Sequence, residues 1–155
     1  MTYNLYINSE TSSILCDFTI SSDQSVTSTS SYSQTINIDA ISGSSGVTVT
    51  NNIISLPKGY EFLVRFFVGI SRNLTQGELY AKVEYSNGSS VLDATLAEIG
   101  GNGNNKTSLE DITCVIDTSS EAKDIVYKTY RNSDNVYTIS LLSEYCYGII
   151  IGFKK

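Results

Sequence analysis

Apolar and polar residues alternate with a period of two along much of the chain. Alternation over about four to eight residues is typical of an antiparallel strand that is buried on one face. The clearest apolar face has six members at every second position: Tyr60, Phe62, Val64, Phe66, Val68 and Ile70. Shorter runs cover residues 14–20, 79–85, 112–116, 125–129, 137–141 and 145–153. The last run places one apolar set on a single face: Tyr145, Tyr147, Ile149, Ile151 and Phe153.

Turn signals separate these runs. A Leu-Pro-Lys-Gly sequence at residues 56–59 precedes the longest run, and Asn87-Gly88 is the strongest short hairpin signal. Residues 91–99 also fit helical spacing, but we interpret them as a strand, and no other segment suggests a helix. Strands spaced this closely are typical of sandwiches, jelly rolls and barrels. We therefore predict an all-β protein, an antiparallel β-sandwich of the jelly-roll type.

The first third of the chain differs from the rest in composition. It is rich in Ser and Thr, and the first basic residue is Lys58. Alternation at residues 36–38 and 47–49 predicts two short strands joined by a turn at residues 42–46. We expect one domain, in which residues 51–155 form the jelly-roll body. Residues 1–50 would supply either further strands of that domain or a docking arm for another subunit.

Charge and hydropathy exclude several classes of partner. The 155-residue chain has 10 basic and 16 acidic residues and a net charge of −6. A nucleic-acid-binding surface needs clustered Lys and Arg, so we expect no nucleic-acid partner. No apolar run approaches the roughly 18 residues of a membrane span, so we expect no membrane association. The N-terminus lacks a basic region followed by an apolar core, so no signal peptide is predicted.

The three cysteines are far apart, and each lies in an apolar stretch: Cys16, Cys114 and Cys146. Their spacing does not fit a zinc site, and an odd number without a framework favours buried thiols over disulfides. We therefore expect synthesis in a reducing compartment.

Residues suited to catalysis are scarce. The chain has no His, which removes the Ser–His and Cys–His dyads and the commonest metal ligand. A carboxylate pair, as in glycosidases, would have to come from Glu110 with Asp111 or from Asp117 with Glu121. Solvated loop charges are the preferred interpretation of both pairs. A Ca²⁺ loop near Asp134 lacks the EF-hand pattern. We predict no enzyme activity, no catalytic residues, no cofactor and no metal.

Tyrosine is abundant, with 11 residues, most of them in the second half of the chain. So many rings cannot share one core, and Tyr is enriched at protein interfaces because it buries area while keeping a polar tip. Tyr also stacks on sugars. The pattern favours a subunit interface over a carbohydrate site. The candidate interface residues are Tyr127, Tyr130, Tyr145, Tyr147, Ile149 and Ile151.

From about residue 53 onward, the order of elements resembles the jelly roll of the tumour necrosis factor and complement-globular-head superfamily. Residues 54–62 (ISLPKGYEF) are similar to the turn that leads into the family's long central strand. Residues 77–85, 111–116 and 124–130 resemble the strands that follow. Residues 145–153 (YCYGIIIGF) are similar to the closing strand. The resemblance covers about 100 residues and rests on pattern and order.

The resemblance implies a homotrimer with the C-terminal strand near the threefold axis. Similar domains occur in tailed-bacteriophage virions as capsid decoration proteins, head fibres and fibre tips. The expected role is therefore a virion structural protein, made in the host cytoplasm, that binds the major capsid protein or another virion protein. The alternative is a carbohydrate-binding module or receptor-binding fibre tip that contacts a surface glycan.

Overall fold

A computed structural model describes residues 13–27, 29, 32–43, 46–72, 78–91, 97–99, 108–132 and 139–155. Within these ranges the strands are β1 Ser13–Thr19, β2 Gln24–Val26, β3 Gln34–Thr35, β4 Ala40–Gly43, β5 Thr48–Thr50, β6 Ile53–Leu56, β7 Tyr60–Arg72, β8 Glu78–Tyr85, β9 Ala97–Ile99, β10 Ser108–Asp117, β11 Lys123–Asn132, β12 Ile139–Leu141 and β13 Tyr147–Lys154. The strands pair antiparallel in two sheets that enclose one core. This confirms the predicted all-β antiparallel sandwich.

The first sheet, sheet A, is built around the long strand β7. One edge of β7 pairs with β10, and the other edge pairs with β13 and, further along, with β12. Beyond β13 the sheet continues with β1 and β4, and β2 lies beside β12. The C-terminal strand β13 therefore lies in the middle of sheet A, between β7 and β1.

The second sheet, sheet B, has the order β5-β6-β11-β8-β9, and β3 also pairs with β11. From β6 onward the chain moves repeatedly between the sheets: β6, β8, β9 and β11 belong to sheet B, and β7, β10, β12 and β13 to sheet A. This exchange is compatible with a jelly-roll-like sandwich. Strands that precede residue 50 occur in both sheets.

The core lies between the two sheets and has an aromatic centre. Phe18 of β1, Phe66 of β7 and Tyr127 of β11 are fully buried, with ring centroids 4.7–5.7 Å apart. Contacts of this length are typical of favourable aromatic packing. The predicted inward faces of the first and longest runs are confirmed, because Ile14, Cys16, Phe18 and Ile20 are buried and so are the even-numbered residues 62–70.

Both predicted turns form at glycines with positive φ. Gly59 has φ +97° between β6 and β7, and Gly88 has φ +86° after β8. Gly tolerates this region because it has no Cβ. After the second turn, the returning segment pairs with β8 first through a single bridge from Ser90 to Glu84. The strand interpretation holds at β9, and residues 92–96 lie outside the described residues.

The predicted hairpin around residues 42–46 is wrong. Residues 42 and 43 belong to β4, which pairs with β1 in sheet A, whereas β5 pairs with β6 in sheet B. Ile36 and Ile38 are buried but lie between β3 and β4. The alternation indicated which side chains are buried, but a burial pattern alone does not show that the segment crosses from one sheet to the other.

The last run has the predicted period, and its larger side chains lie on the outer face. Cys146, Gly148, Ile150 and Gly152 face the core, while the odd-numbered residues 145–153 face outward. The glycines explain this orientation. A Cβ on Gly148 would lie 2.0 Å from Phe18 Cζ, and one on Gly152 would lie 2.5 Å from Phe62 Cε1. Two large core rings therefore fill the space that these glycines leave.

Candidate assembly surface

The outer face of sheet A carries an apolar row that crosses four strands. Leu15 is opposite Ile151, Ile151 is opposite Leu63, and Leu63 is opposite Val115 in the strand register. At the two ends of the row, Leu15 is 51% exposed and Val115 is 44% exposed. An antiparallel sheet with one face in water normally places polar residues outside. This row departs from that expectation in all four strands.

Aromatic residues extend the row on both sides. On one side Tyr147 of β13 is opposite Phe67 of β7, and their rings stack with centroids 4.5 Å apart. On the other side Phe153 of β13 is 54% exposed. Tyr145, in the turn before β13, lies directly above Gly69 of β7. We refer to the whole set as the outer apolar surface: Leu15, Leu63, Phe67, Val115, Tyr145, Tyr147, Ile149, Ile151 and Phe153.

Strand geometry gives the approximate extent of this surface. From Phe153 to Tyr147 it spans six residue steps of about 3.3 Å, and the three gaps between four strands are about 4.8 Å each. The projected area, about 20 Å by about 14 Å, is therefore on the order of 300 Å². Apolar patches of this size on a soluble chain are often functional. The surface is thus large enough to mark an interaction site.

Charged groups cross this surface and border it. Arg65 donates from Nε to Asp111 Oδ2 at 2.9 Å, and its guanidinium lies 4.4 Å from the Phe67 ring centroid. Thr113 also donates to Asp111 Oδ2, at 2.9 Å. At the opposite end, Lys155 pairs with Glu61 at 2.6 Å. The surface therefore contains both signs of charge, arranged in pairs around apolar side chains.

A depression opens beside the apolar row, at the junction of β1 and β4. It is lined by Leu15, Cys16, Asp17, Gly43 and Ile149. Gly43 comes close to β1, and a Cβ there would lie 2.4 Å from the Leu15 carbonyl oxygen. Because glycine has no side chain, β4 can approach β1 closely at Gly43, and the depression stays open.

Four of the six candidate interface residues from the sequence lie together on this surface: Tyr145, Tyr147, Ile149 and Ile151. Tyr127 does not, because its side chain is fully buried in the core and presents no surface to a partner. Burial also raises the pKa of Tyr127 well above the ordinary value. Tyr130 lies on the outer face of sheet B, where its ring stacks on Tyr80.

Sequence reasoning missed Leu15, Leu63, Phe67 and Val115. The signal for two of them is in β7, where residues 62–64 and 66–68 are continuously apolar. A strand that is apolar on both faces is typically covered on both faces. The continuous apolar runs of β7 therefore already indicated that sheet A has apolar residues on its outer face as well.

The candidate carboxylates have structural partners. The backbone N–H and hydroxyl of Ser119 hold the pKa of Asp117 below its ordinary value, and the Lys123 ammonium does the same for Glu121. Asp111 pairs with Arg65, as above. The side chain of Glu110 and residue Asp134 lie outside what the structure describes. The pKa values of Asp117 and Glu121 are therefore lowered, whereas a general acid requires a raised pKa.

The three cysteines are buried in the core, and none of them forms a disulfide bond. Desolvation raises the pKa of Cys16 and of Cys146 to about 11. A reactive cysteine needs a lowered pKa and an accessible sulfur. Both thiols therefore act as small core side chains.

Comparison with known proteins does not assign the chain to a family. No protein-family model matches the chain, and no curated protein matches it significantly. Within the part of the chain that the structure describes, no helix is long and apolar enough to cross a membrane.

Proposed function

We propose that this chain is a non-enzymatic structural protein that self-associates as a homotrimer through the outer apolar surface of sheet A. The observation that carries the proposal is the apolar row Leu15–Ile151–Leu63–Val115, which is in register across four strands. Leaving such a row in water costs free energy in proportion to its area, about 25 cal/mol for each Å² that a partner would cover. Burial against a partner removes that cost.

Features of the surface favour a second copy of this chain as the partner. It carries both signs of charge: Arg65 and Lys155 are basic, and Asp17, Asp111 and Glu61 are acidic. Charged groups of either sign on one copy could therefore meet an opposite charge on the next. The net charge of −6 disfavours an anionic membrane as the partner. The central place of β13 in sheet A agrees with the resemblance, which implies a C-terminal strand near a threefold axis.

The setting that we propose is a virion, in which the trimer decorates a capsid or forms part of a head fibre. This step rests on the sequence resemblance and on the absence of His-based catalytic sets from the sequence. The genes that flank the coding sequence test the setting. Adjacent portal, terminase or major capsid genes would support it, and a metabolic operon would contradict it.

The assembly proposal is tested by the mass in solution. One chain has a mass of 16.9 kDa, so light scattering after size exclusion should give about 51 kDa, which is three times that mass. The double variant Leu15→Glu with Val115→Glu should run as a monomer, because it places carboxylates at both ends of the apolar row. Both side chains are at least 44% exposed, so the monomer should still fold.

Thr48→Glu is the matched control, because Thr48 is an exposed strand residue of sheet B. It should leave the mass at the value of the unmodified chain. A wild-type monomer at all concentrations tested would overturn the proposal. A double variant that keeps the wild-type mass would place the contact elsewhere and would also contradict it.

A further inference from the structure

The outer face of sheet B carries a second cluster, made of tyrosines and lysines. The rings of Tyr80 on β8 and Tyr130 on β11 stack with centroids 4.8 Å apart and planes at 9°. Tyr32, just before β3, meets Tyr130 edge to face at 4.7 Å. We call these rings, together with Lys82 and Lys128, the tyrosine–lysine cluster. It lies on the opposite side of the sandwich from the outer apolar surface.

The two lysines of the cluster face each other across a strand pair. Lys82 of β8 is directly opposite Lys128 of β11 in the register. Like charges in this position repel one another and destabilise the sheet. The Lys82 ammonium lies 4.7 Å from the Tyr32 ring centroid and 2.7 Å from Glu84. The described side chains here are therefore two ammonium groups and one carboxylate beside aromatic rings, in a chain that is acidic overall.

The positive charges of the two lysines are not neutralised equally. Lys82 has a carboxylate partner in Glu84, whose side chain is only 11% exposed. Lys128 donates to the hydroxyl of Thr35 at 2.7 Å, and a hydroxyl carries no negative charge. Among the ion pairs of the described residues, none involves Lys128. An anion beside Lys128 would therefore relieve the repulsion between the lysines.

We propose that the tyrosine–lysine cluster binds an acidic saccharide. The ammonium of Lys128, supported by Lys82, would contact the carboxylate or sulfate group. Charge-assisted bonds of this kind are among the strong hydrogen bonds in proteins. The partly exposed phenols of Tyr32 and Tyr130 offer hydroxyls and apolar ring edges to the sugar. Two lysines are too few to follow a nucleic-acid backbone, so the ligand carries one or a few acidic groups.

The binding test uses three saccharides in separate titrations monitored by ¹⁵N chemical shifts. Sialyllactose supplies a carboxylate, a heparin disaccharide supplies sulfates, and lactose is neutral. Saturable shifts on β8 and β11 with either acidic sugar, but not with lactose, are the expected result. Lactose binding with equal affinity, or no saturable shift with either acidic sugar, would overturn the proposal.

Variants of Lys128 connect binding to the cluster. Lys128→Gln removes the charge and should weaken binding of the acidic sugar about tenfold, which corresponds to about 1.4 kcal/mol. Lys128→Arg keeps the charge and should bind within a few fold of wild type. Lys58→Gln removes a charge in the exposed turn before β7 and should have no effect. Equal affinity of Lys128→Gln and wild type would contradict the assignment.

The two proposals can fail independently. The assembly variant Leu15→Glu with Val115→Glu leaves sheet B unchanged, so it should keep its affinity for the acidic sugar. Loss of binding in that variant, with the fold intact, would show that the sugar site needs the oligomer, and it would contradict a site built from sheet B alone.

Discussion

The outer faces of the two sheets differ in what they present to their surroundings. On sheet B, each outward pair between β8 and β11 whose two side chains are described includes an ionic or phenolic group: Val126 with Glu84, Lys128 with Lys82, and Tyr130 with Tyr80. On sheet A, the row from Leu15 to Val115 is aliphatic throughout. Both sheets bury their inner faces in the same core, so the monomer fold does not require this difference.

The comparison separates residues that build the monomer from residues available to partners. A polar outer face is what water requires of a half-buried sheet, and sheet B follows that rule. Sheet A has apolar residues on both faces, as in strands that are covered on both sides. The proposed assembly would account for this difference, because it would give the outer face of sheet A an apolar environment as well.

The largest effect is expected when sheet A is given the polarity of sheet B. The double variant Leu63→Lys with Ile151→Thr interrupts the centre of the apolar row with one charged and one polar side chain. Assembly should weaken at least about a hundredfold, or about 2.7 kcal/mol, because both central aliphatic contacts are lost. Sedimentation equilibrium over a dilution series measures the change.

The matched control for this change is Thr50→Lys on β5, which adds the same charge to an exposed strand position of sheet B. It should leave the association constant unaltered. Urea unfolding of the double variant at low protein concentration should stay within about 1 kcal/mol of the wild-type monomer, because outward substitutions usually have small effects. A large loss of monomer stability without a change in association would contradict the comparison.

The sequence predicted the fold class and most inward faces, because burial imposes a period of two on each strand. It left the orientation of the last strand open, because glycines occupy inward positions there. In β13 the larger side chains, Tyr147 and Ile149, face outward, while Gly148 faces inward beneath the Phe18 ring. Hydrophobicity alone favours tyrosine over glycine for a buried position. Only the position of the Phe18 ring in space shows why Gly148 is the buried residue.

Part of the candidate site could also be predicted from the period of two along the strands. Tyr147 and Ile149 were selected as interface residues, and they lie on the outer apolar surface. Leu15 and Val115 were missed because single outward aliphatic residues in separate strands carry no joint signal. The register of four strands, which depends on pairings more than 100 residues apart such as Leu15 with Ile151, brings them into one row.

A smaller effect is expected at the ion pair on sheet A. Arg65 and Asp111 are 46% and 40% exposed, and exposed pairs contribute about 0.2–1 kcal/mol. A double-mutant cycle with Arg65→Met and Asp111→Asn should give a coupling free energy in that range for the monomer. In the oligomer we expect a larger coupling, because partner side chains would exclude water and salt from the pair. Equal coupling in both states would argue against burial of this pair.

The smallest effect is expected from carboxylates that fix loops of the monomer and lie away from the apolar row. Asp39 accepts hydrogen bonds from the backbone N–H and hydroxyl of Ser21, which lower its pKa, and Ser143 does the same for Asp23. A lowered folded-state pKa stabilises the fold fully above the unfolded value of about 3.9, and this contribution is lost as the pH falls through the folded value.

Asp39→Asn should therefore unfold more easily than wild type at pH 6, and the difference should shrink below about pH 4. If Asp39→Asn instead changed the association constant and left monomer unfolding unaltered, the separation between fold-building and partner-facing residues would fail at this position.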